Sequence, residues 1–472
     1  MSVQEAEAKA VSMNPLATED VNKIIRKFAI PAIISLLVNA VYNIVDQIFI
    51  GQGIGTIGIA ATNVAFPLNT ISASVSLLIG VGSASFFNLS LGAGDTKSAS
   101  RVVGNAMLLG SICGAIIGTV SFIFVEPLLR FFGATNDIMV YAHSYTSIIA
   151  IGLPFMVMTT ITSSLIRADG SPKYAMACML AGAIFNIIFD PIFMFGFGWG
   201  IEGIAWATTL GQMLSAGMGI FYIMKKFHTI PVGKGSYKLE SRIISRICAI
   251  GAGACFNQLA MTVVQILLNN TLKHYGELSI YGSEIPIACV GVVTKISFIF
   301  ISFPIGIGQG CQPLVSFNYG ARNFKRVKAA YKVAITTATI STTAAFLMFQ
   351  LFPRQLIGIF GQGTEEYFQF ATMYLRIYLC TMFLNGVQPV TSNFFTSIGK
   401  AKIGLLMSMT RQLLCLVPLL IIFPMIWGID GVMYTAPLAD IIAAILAVIF
   451  ITREMKLMTE MENADKALAS AV

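Results

Sequence analysis

Two carboxylates stand inside apolar runs of this chain. Asp46 lies in Tyr42-Asn43-Ile44-Val45-Asp46-Gln47, and Asp190 in Asn186-Ile187-Ile188-Phe189-Asp190-Pro191. An ionisable group at mid-bilayer costs at least about 2.5–3.5 kcal/mol on insertion scales, so it persists where it is paired or does a job. Asn186 and Asp190 are four residues apart and share a helix face. Thr208 and Thr209 lie in the next apolar run. If the helices carrying Asp46, Asp190 and Thr208 pack together, two carboxylates, an amide oxygen and a hydroxyl converge. An all-oxygen, negatively charged site of that kind suits a hard cation such as Na⁺, or a proton. Carboxylates side by side away from water repel one another unless a cation or proton lies between them, so the pair could take up and release H⁺. The plainer alternative is that each Asp only hydrogen-bonds a neighbouring helix.

Other candidates carry less chemistry. Asp440 reads as a polar contact between helices. Lys295 either neutralises an acid or touches substrate, or else snorkels to the interface. Arg376 and Arg411 read as interfacial or structural. None of the eight cysteines forms a CxxC, and nearly all sit in apolar runs as small hydrophobes. The three histidines are far apart, so a metal centre built on them has no support. Gly53-Ile54-Gly55-Thr56-Ile57-Gly58 matches GxGxxG, but it follows an apolar helix with no βαβ context. There is no Walker A run and no HExxH, so no nucleotide, metal or organic cofactor is expected beyond a coupling ion. Twenty-three Met and thirty-four Phe would suit a plastic cavity, though they serve equally as packing residues.

The elements that must position these groups follow from composition. The chain has 472 residues, 56% of them apolar and only 11% charged, with mean hydropathy +0.79. An average soluble protein is about 25% charged. A soluble enzyme, a nucleic-acid-binding domain and a disordered chain are thereby excluded, and an all-α integral membrane protein remains. Twelve apolar stretches are long enough to span about 30 Å of hydrocarbon. They run over roughly 24–50, 59–91, 102–125, 141–166, 174–195, 201–224, 243–272, 285–317, 329–352, 368–397, 403–426 and 431–452. Prolines inside them, Pro31 among these, predict kinks. The polar start lacks a basic stretch followed by a short apolar region, so the first apolar helix is read as the retained targeting element.

Lys and Arg orient the chain. With the N-terminus inside and twelve alternating helices, 24 of the 30 basic residues fall on the inner side. Only Arg130, Lys273 and Arg354 fall outside, while Lys295, Arg376 and Arg411 lie within or at the ends of spans. That asymmetry places both termini in the cytoplasm of a multi-pass protein of the cell (plasma or inner) membrane. The expected order is a tail over 1–22, a lobe of six helices over 23–224, a basic linker over 225–242, a second lobe over 243–452 and a tail over 453–472.

The halves repeat. Trp199-Gly200-Ile201-Glu202-Gly203 recurs as Trp427-Gly428-Ile429-Asp430-Gly431, 228 residues on. Phe132-Gly133 recurs as Phe360-Gly361, and Gly92-Ala93 as Gly320-Ala321, at the same spacing. Gly170 and Lys173 recur as Gly399 and Lys402, 229 on. A six-helix repeat keeps its orientation, so two parallel lobes are expected around a central cavity, an arrangement common in transporters. Positions 415 and 419, which correspond to Asn186 and Asp190, hold Cys415 and Leu419. Any cation site therefore belongs to the first lobe alone.

These stretches resemble the multidrug and toxic compound extrusion (MATE) family over essentially the whole chain. The resemblance is carried by Asn43-Ile44-Val45-Asp46, by Asn186 to Pro191, and by Pro304-Ile305-Gly306-Ile307-Gly308-Gln309-Gly310-Cys311-Gln312-Pro313 continuing to Asn318-Tyr319-Gly320-Ala321. It implies twelve helices in two lobes forming a V-shaped cavity, and efflux of organic, often cationic, compounds in exchange for Na⁺ or H⁺. In the branch similar to the DNA-damage-inducible, DinF-like transporters, the positions of Asp46, Asn186, Asp190 and Thr208 form the cation or proton site. Tyr42 and Pro31 there serve rearrangement, and Asn43 and Lys295 are taken with them as candidates for rearrangement or substrate contact. The NorM-like branch carries an acid in the seventh helix, where this chain reads Phe256-Asn257-Gln258-Leu259-Ala260-Met261 and has none. Some relatives have polar Asn in the fourth helix where this chain offers Thr160 and Ser163. The expected partners are small drug-like molecules, the coupling cation and the bilayer, with no nucleic acid and a monomeric chain. The rival reading is a flippase for a lipid-linked precursor, which would need a basic cavity that Lys295, Arg376 and Arg411 alone would have to supply. A membrane-embedded enzyme would need a catalytic cluster inside a span, and none is visible.

Overall fold

The computed structural model describes residues 14–282, 284–359 and 364–470. Every regular element among these residues is helical. The first lobe's helices are α1 (Val21–Gly53), α2 (Thr56–Gly92), α3 (Thr96–Ile123), α4 (Asn136–Ala168), α5 (Pro172–Pro191) and α6 (Gly200–Lys225). Those of the second half are α7 (Ser241–Glu277), α8 (Glu284–Gly320), α9 (Phe324–Leu351), the two segments α10a (Glu365–Tyr378) and α10b (Val387–Ser397), α11 (Ala401–Trp427) and α12 (Ile429–Ser470). Ten of these elements meet the length and hydropathy needed for a span. The other two spans are α6, about 39 Å long at 1.5 Å per residue, and the interrupted α10. The count of twelve helices agrees with the apolar runs in the sequence.

The chain divides into two compact units. One holds Ile30–Gln258 with the segment up to Thr18, and the other holds Glu19–Ala29 and Leu259–Val472. Of the three points where the chain changes unit, two fall inside continuous helices, α1 and α7.

Within the first unit α4 is central, packing against α2, α3 and α6. Close helix approach depends on small residues, as expected where lipid supplies no hydrophobic drive. On α5 and α6, a Cβ added at Gly182 would lie 2.7 Å from the Gly211 carbonyl oxygen, and one at Gly211 would lie 2.8 Å from that of Gly182. The segment after α6 folds back on α3. Ser100 Oγ meets Ser236 Oγ at 2.6 Å, Asn105 donates to the Lys238 carbonyl, and Arg101 pairs with Glu240 at 3.1 Å.

The second unit is strapped at the corresponding level by the extension of α12. Lys328, which is 228 residues beyond Ser100, pairs with Glu462 at 2.8 Å. Arg322 makes a two-pronged contact with Asp465, and Lys400 meets Glu454 at 2.6 Å. The repeat is therefore visible in three dimensions. It also recurs in the backbone. Gly200 and Gly428 enter the sixth helix of each half at φ +58° and +59°, a region that favours glycine. Gly94 and its counterpart Arg322 both adopt positive φ, at +78° and +57°. The next residues, Asp95 and Asn323, each cap the following helix by accepting from Ser98 N and Arg326 N. Phe360-Gly361 lies outside the described residues.

The apolar run 368–397 does not fold as one helix. It breaks between Tyr378 and Val387 with a short 3₁₀ turn at Met382–Leu384. Exposed backbone at membrane depth needs partners, and here neighbouring side chains supply some: Thr342 Oγ1 donates to the Phe383 carbonyl at 3.2 Å.

Candidate functional site

Three helices of the first lobe place their key side chains by a shared rule. Ile50 on α1, Met194 in the π turn that continues α5 past Pro191, and Ile204 on α6 form one buried apolar cluster. Asp46 lies four residues before Ile50, Asp190 four before Met194, and Thr208 four after Ile204. The sixth helix runs antiparallel to the fifth, so all three polar groups fall one turn away from the apolar cluster on the same side. The convergence expected of the first, fifth and sixth helices is met by this packing.

At the centre, Asn186 Nδ2 donates to Asp190 Oδ1 at 2.9 Å and to Thr208 Oγ1 at 3.0 Å. Asp46 lies beside Asp190, close enough for the two acids to interact electrostatically. Asp190 is 0% exposed, Asn186 3% and Asp46 8%. Three oxygens in this cluster are buried without a hydrogen-bond partner among the described residues: Asp46 Oδ1, Asp190 Oδ2 and Asn186 Oδ1. All three are acceptors. A buried acceptor with no donor is costly, and what these share is affinity for a positive charge.

Tyr42 lies within electrostatic range of both acids. So does Tyr145, a buried residue of α4. Sequence reasoning did not single out Tyr145, because an aromatic residue in a span is ordinary and only the fold brings it to the acids. Gln47 ties α1 to α2 by donating to Thr62 Oγ1 at 3.4 Å. Pro31 is buried in α1, two residues past the point where the helix passes from one compact unit to the other. Its ring removes an N–H from the helix ladder, and Ser35 Oγ donates to its carbonyl at 2.8 Å.

Two predicted residues stand apart from the cluster. Asn43 is exposed and donates only within its own helix, to the Asn39 carbonyl and Oδ1. Lys295 is exposed on α8 and makes no ion pair among the described residues. Thr160 and Ser164 hydrogen-bond along α4, and Ser163 Oγ is buried without a partner.

The second lobe holds a different charged cluster. Arg411 Nε donates to Asp440 Oδ1 at 2.6 Å, and Thr381 Oγ1 donates to Asp440 Oδ2 at 2.9 Å. Asp440 is 1% exposed along its side chain and Arg411 18%. Both oxygens of this acid are satisfied and its charge is balanced, whereas the acids of the first lobe each leave an oxygen open. The two lobes share a scaffold and differ in electrostatics.

Twelve helices in two repeated halves, with acids gathered inside one half, define a polytopic membrane transporter rather than an enzyme. The MatE family's sequence profile matches residues 31–192 and 254–422, and the chain belongs to that family. It is 26% identical over 436 residues to the multidrug export protein MepA of Staphylococcus aureus, covering 91% of this chain and 93% of that one. Its fold matches a MOP-superfamily transporter from Pyrococcus furiosus with TM-score 0.87 and 24% identity, over 96% of this chain and 99% of that one. It also matches a multidrug-resistance MATE transporter in an outward-facing conformation, again with TM-score 0.87 and 24% identity, over 95% and 98% of the two chains.

Proposed function

We propose that this chain exports organic, often cationic, compounds across the plasma or inner membrane, in exchange for H⁺ or Na⁺ entering through the Asp46/Asp190 site. The observation that carries the reading is the set of three buried, partnerless acceptors on Asp46, Asp190 and Asn186. The drug-export relative supports the choice of substrate. The charge asymmetry of the loops supports a chain with both termini in the cytoplasm, and the missing acid in α7 supports the DinF-like branch.

A proton or Na⁺ enters, sits among Asp46, Asp190, Asn186 and Thr208, and offsets one of the pair's two negative charges. Coupling then requires that ion and drug favour different states of the protein. Pro31, close to where α1 changes unit, is the natural place for the ion to be felt as a bend. Tyr42 and Tyr145 border the acids and would sense their charge. A lipid-linked pyrophosphate is a poorer cargo, because Arg411 is already neutralised by Asp440 and Lys295 would be left to hold the anion.

The test is export of ethidium from cells, followed by reconstitution in proteoliposomes with separately imposed Na⁺ and pH gradients. Asp46→Asn and Asp190→Asn, expressed at normal levels, are expected to lose export. Full export by both variants would end the assignment, and the gradient that drives uptake in the wild type identifies the ion.

A further inference from the structure

A pocket of about 520 Å³ opens in the second lobe, where the end of α9, the short helix Pro353–Gly358 and α10a meet. Two guanidinium groups line it, those of Arg354 and Arg376. Arg354 is spoken for. It grips both oxygens of Glu365, at 3.1 and 2.7 Å, and lies over the Phe368 ring.

Arg376 is not. Its Nη2 donates to the main-chain oxygen of Gln350 at 3.2 Å, while the Gln350 amide donates back to the Arg376 carbonyl at 2.9 Å. Arg376 is exposed and makes no ion pair among the described residues. The pocket therefore carries one unit of positive charge that the protein leaves uncompensated.

The scaffold does not require this charge. The 228-residue repeat maps Arg376 onto Ile148 and Gln350 onto Phe122, so the first lobe carries apolar residues at both positions. An exposed guanidinium with no acid beside it is free to take an anion from outside the chain. The surroundings define which anion. Leu351, Met373 and Ile377 line the pocket, and Leu351 is 65% exposed. A ligand that satisfies both parts has a singly charged head and an apolar body.

We propose that this pocket binds the phosphodiester headgroup of an anionic phospholipid, held by Arg376, with the glycerol and acyl portions against the apolar rim. On the proposed topology the lipid belongs to the outer leaflet. The fork of a guanidinium matches two phosphate oxygens. The single net charge selects phosphatidylglycerol over a zwitterionic lipid, since Glu365 is occupied by Arg354 and has no charge to offer an amine.

The experiment uses the purified full chain in detergent, with lipid retention read by native mass spectrometry and thermal stability read in parallel. Phosphatidylglycerol is expected to be retained and to raise the melting temperature, and phosphatidylcholine is not. Arg376→Gln is expected to weaken phosphatidylglycerol binding about tenfold or more, the effect of losing one charge-assisted contact, and Arg376→Lys to retain part of it. Thr372→Phe fills the pocket while keeping the guanidinium in the protein and is expected to lose the lipid as well. Glycerol phosphate at millimolar concentration separates a water-soluble anion from a lipid and is expected to have no effect. Equal retention by Arg376→Gln or by Thr372→Phe overturns the proposal, as does stabilisation by glycerol phosphate alone. None of these variants touches the acid pair, so the result is independent of the ion-coupling test.

Discussion

Asn186 holds Asp190 by a 2.9 Å hydrogen bond from its side-chain amide, one helical turn away on α5. The same nitrogen reaches Thr208 on α6. The amide thereby presents both its hydrogens to the cluster and leaves its oxygen, with one oxygen from each aspartate, turned to acceptor duty that no described protein donor fills. One residue fixes both the spacing of α5 from α6 at this level and the polarity of the site.

It follows that Asn186→Leu should keep the fold and lose the function. The change leaves Asp190 without the donor to Oδ1 and removes one oxygen from the proposed ion shell. A buried carboxylate stripped of a hydrogen bond is disfavoured by about 1–3 kcal/mol, so dye export driven by an imposed ion gradient is expected to fall about tenfold or more. The measurement is ethidium transport in proteoliposomes with the protein amount matched. Wild-type rates would show that the amide is only a packing group.

The crossing of α5 and α6 sets that geometry from below. Gly182 and Gly211 pass so closely that a methyl group at either would press on the other's carbonyl oxygen. Gly182 stands four residues before Asn186, and Gly211 three after Thr208, so separating the helices here separates the site as well. Gly211→Val should lower the melting temperature and abolish export together, with a stability loss of about 1–3 kcal/mol from overpacking. Gly217→Ala on the same helix, where an added Cβ meets nothing within 4 Å, is the control and should behave as wild type in both assays.

What the sequence made legible, and what it hid, divides by the range of the interaction. Apolar runs longer than the hydrocarbon thickness announce themselves locally, and so do the duplicated turns, because Gly200 and Gly428 answer the same backbone demand. The acids Asp46 and Asp190 stood out because charge in a span is rare. The break in α10 was hidden, because averaging hydropathy over 368–397 cannot register that Thr381 leaves its own helix to bond Asp440. Tyr145 was hidden for a related reason, since proximity to the acids comes from the packing of α4 rather than from its own sequence. Arg411 and Asp440 were each read singly as structural groups. Their union, across 29 residues and two helices, is a property of the fold.

That union makes a sharp prediction about the second lobe. The pair is buried and satisfied, so removing one partner strands the other. Arg411→Met leaves Asp440 as an uncompensated carboxylate, and Asp440→Leu leaves the guanidinium alone. Each single change should cost about 3–5 kcal/mol of stability, the usual penalty for breaking a buried pair. The double variant Arg411→Met/Asp440→Leu has no charge to strand and should recover most of the loss, a coupling that a double-mutant cycle reads directly from thermal or denaturant unfolding. If the pair only holds α11 to α12, the double variant also recovers ethidium export. If export stays low while stability returns, the second lobe contributes charge to the transport cycle, and the asymmetry between the lobes is a division of labour rather than a single loaded site.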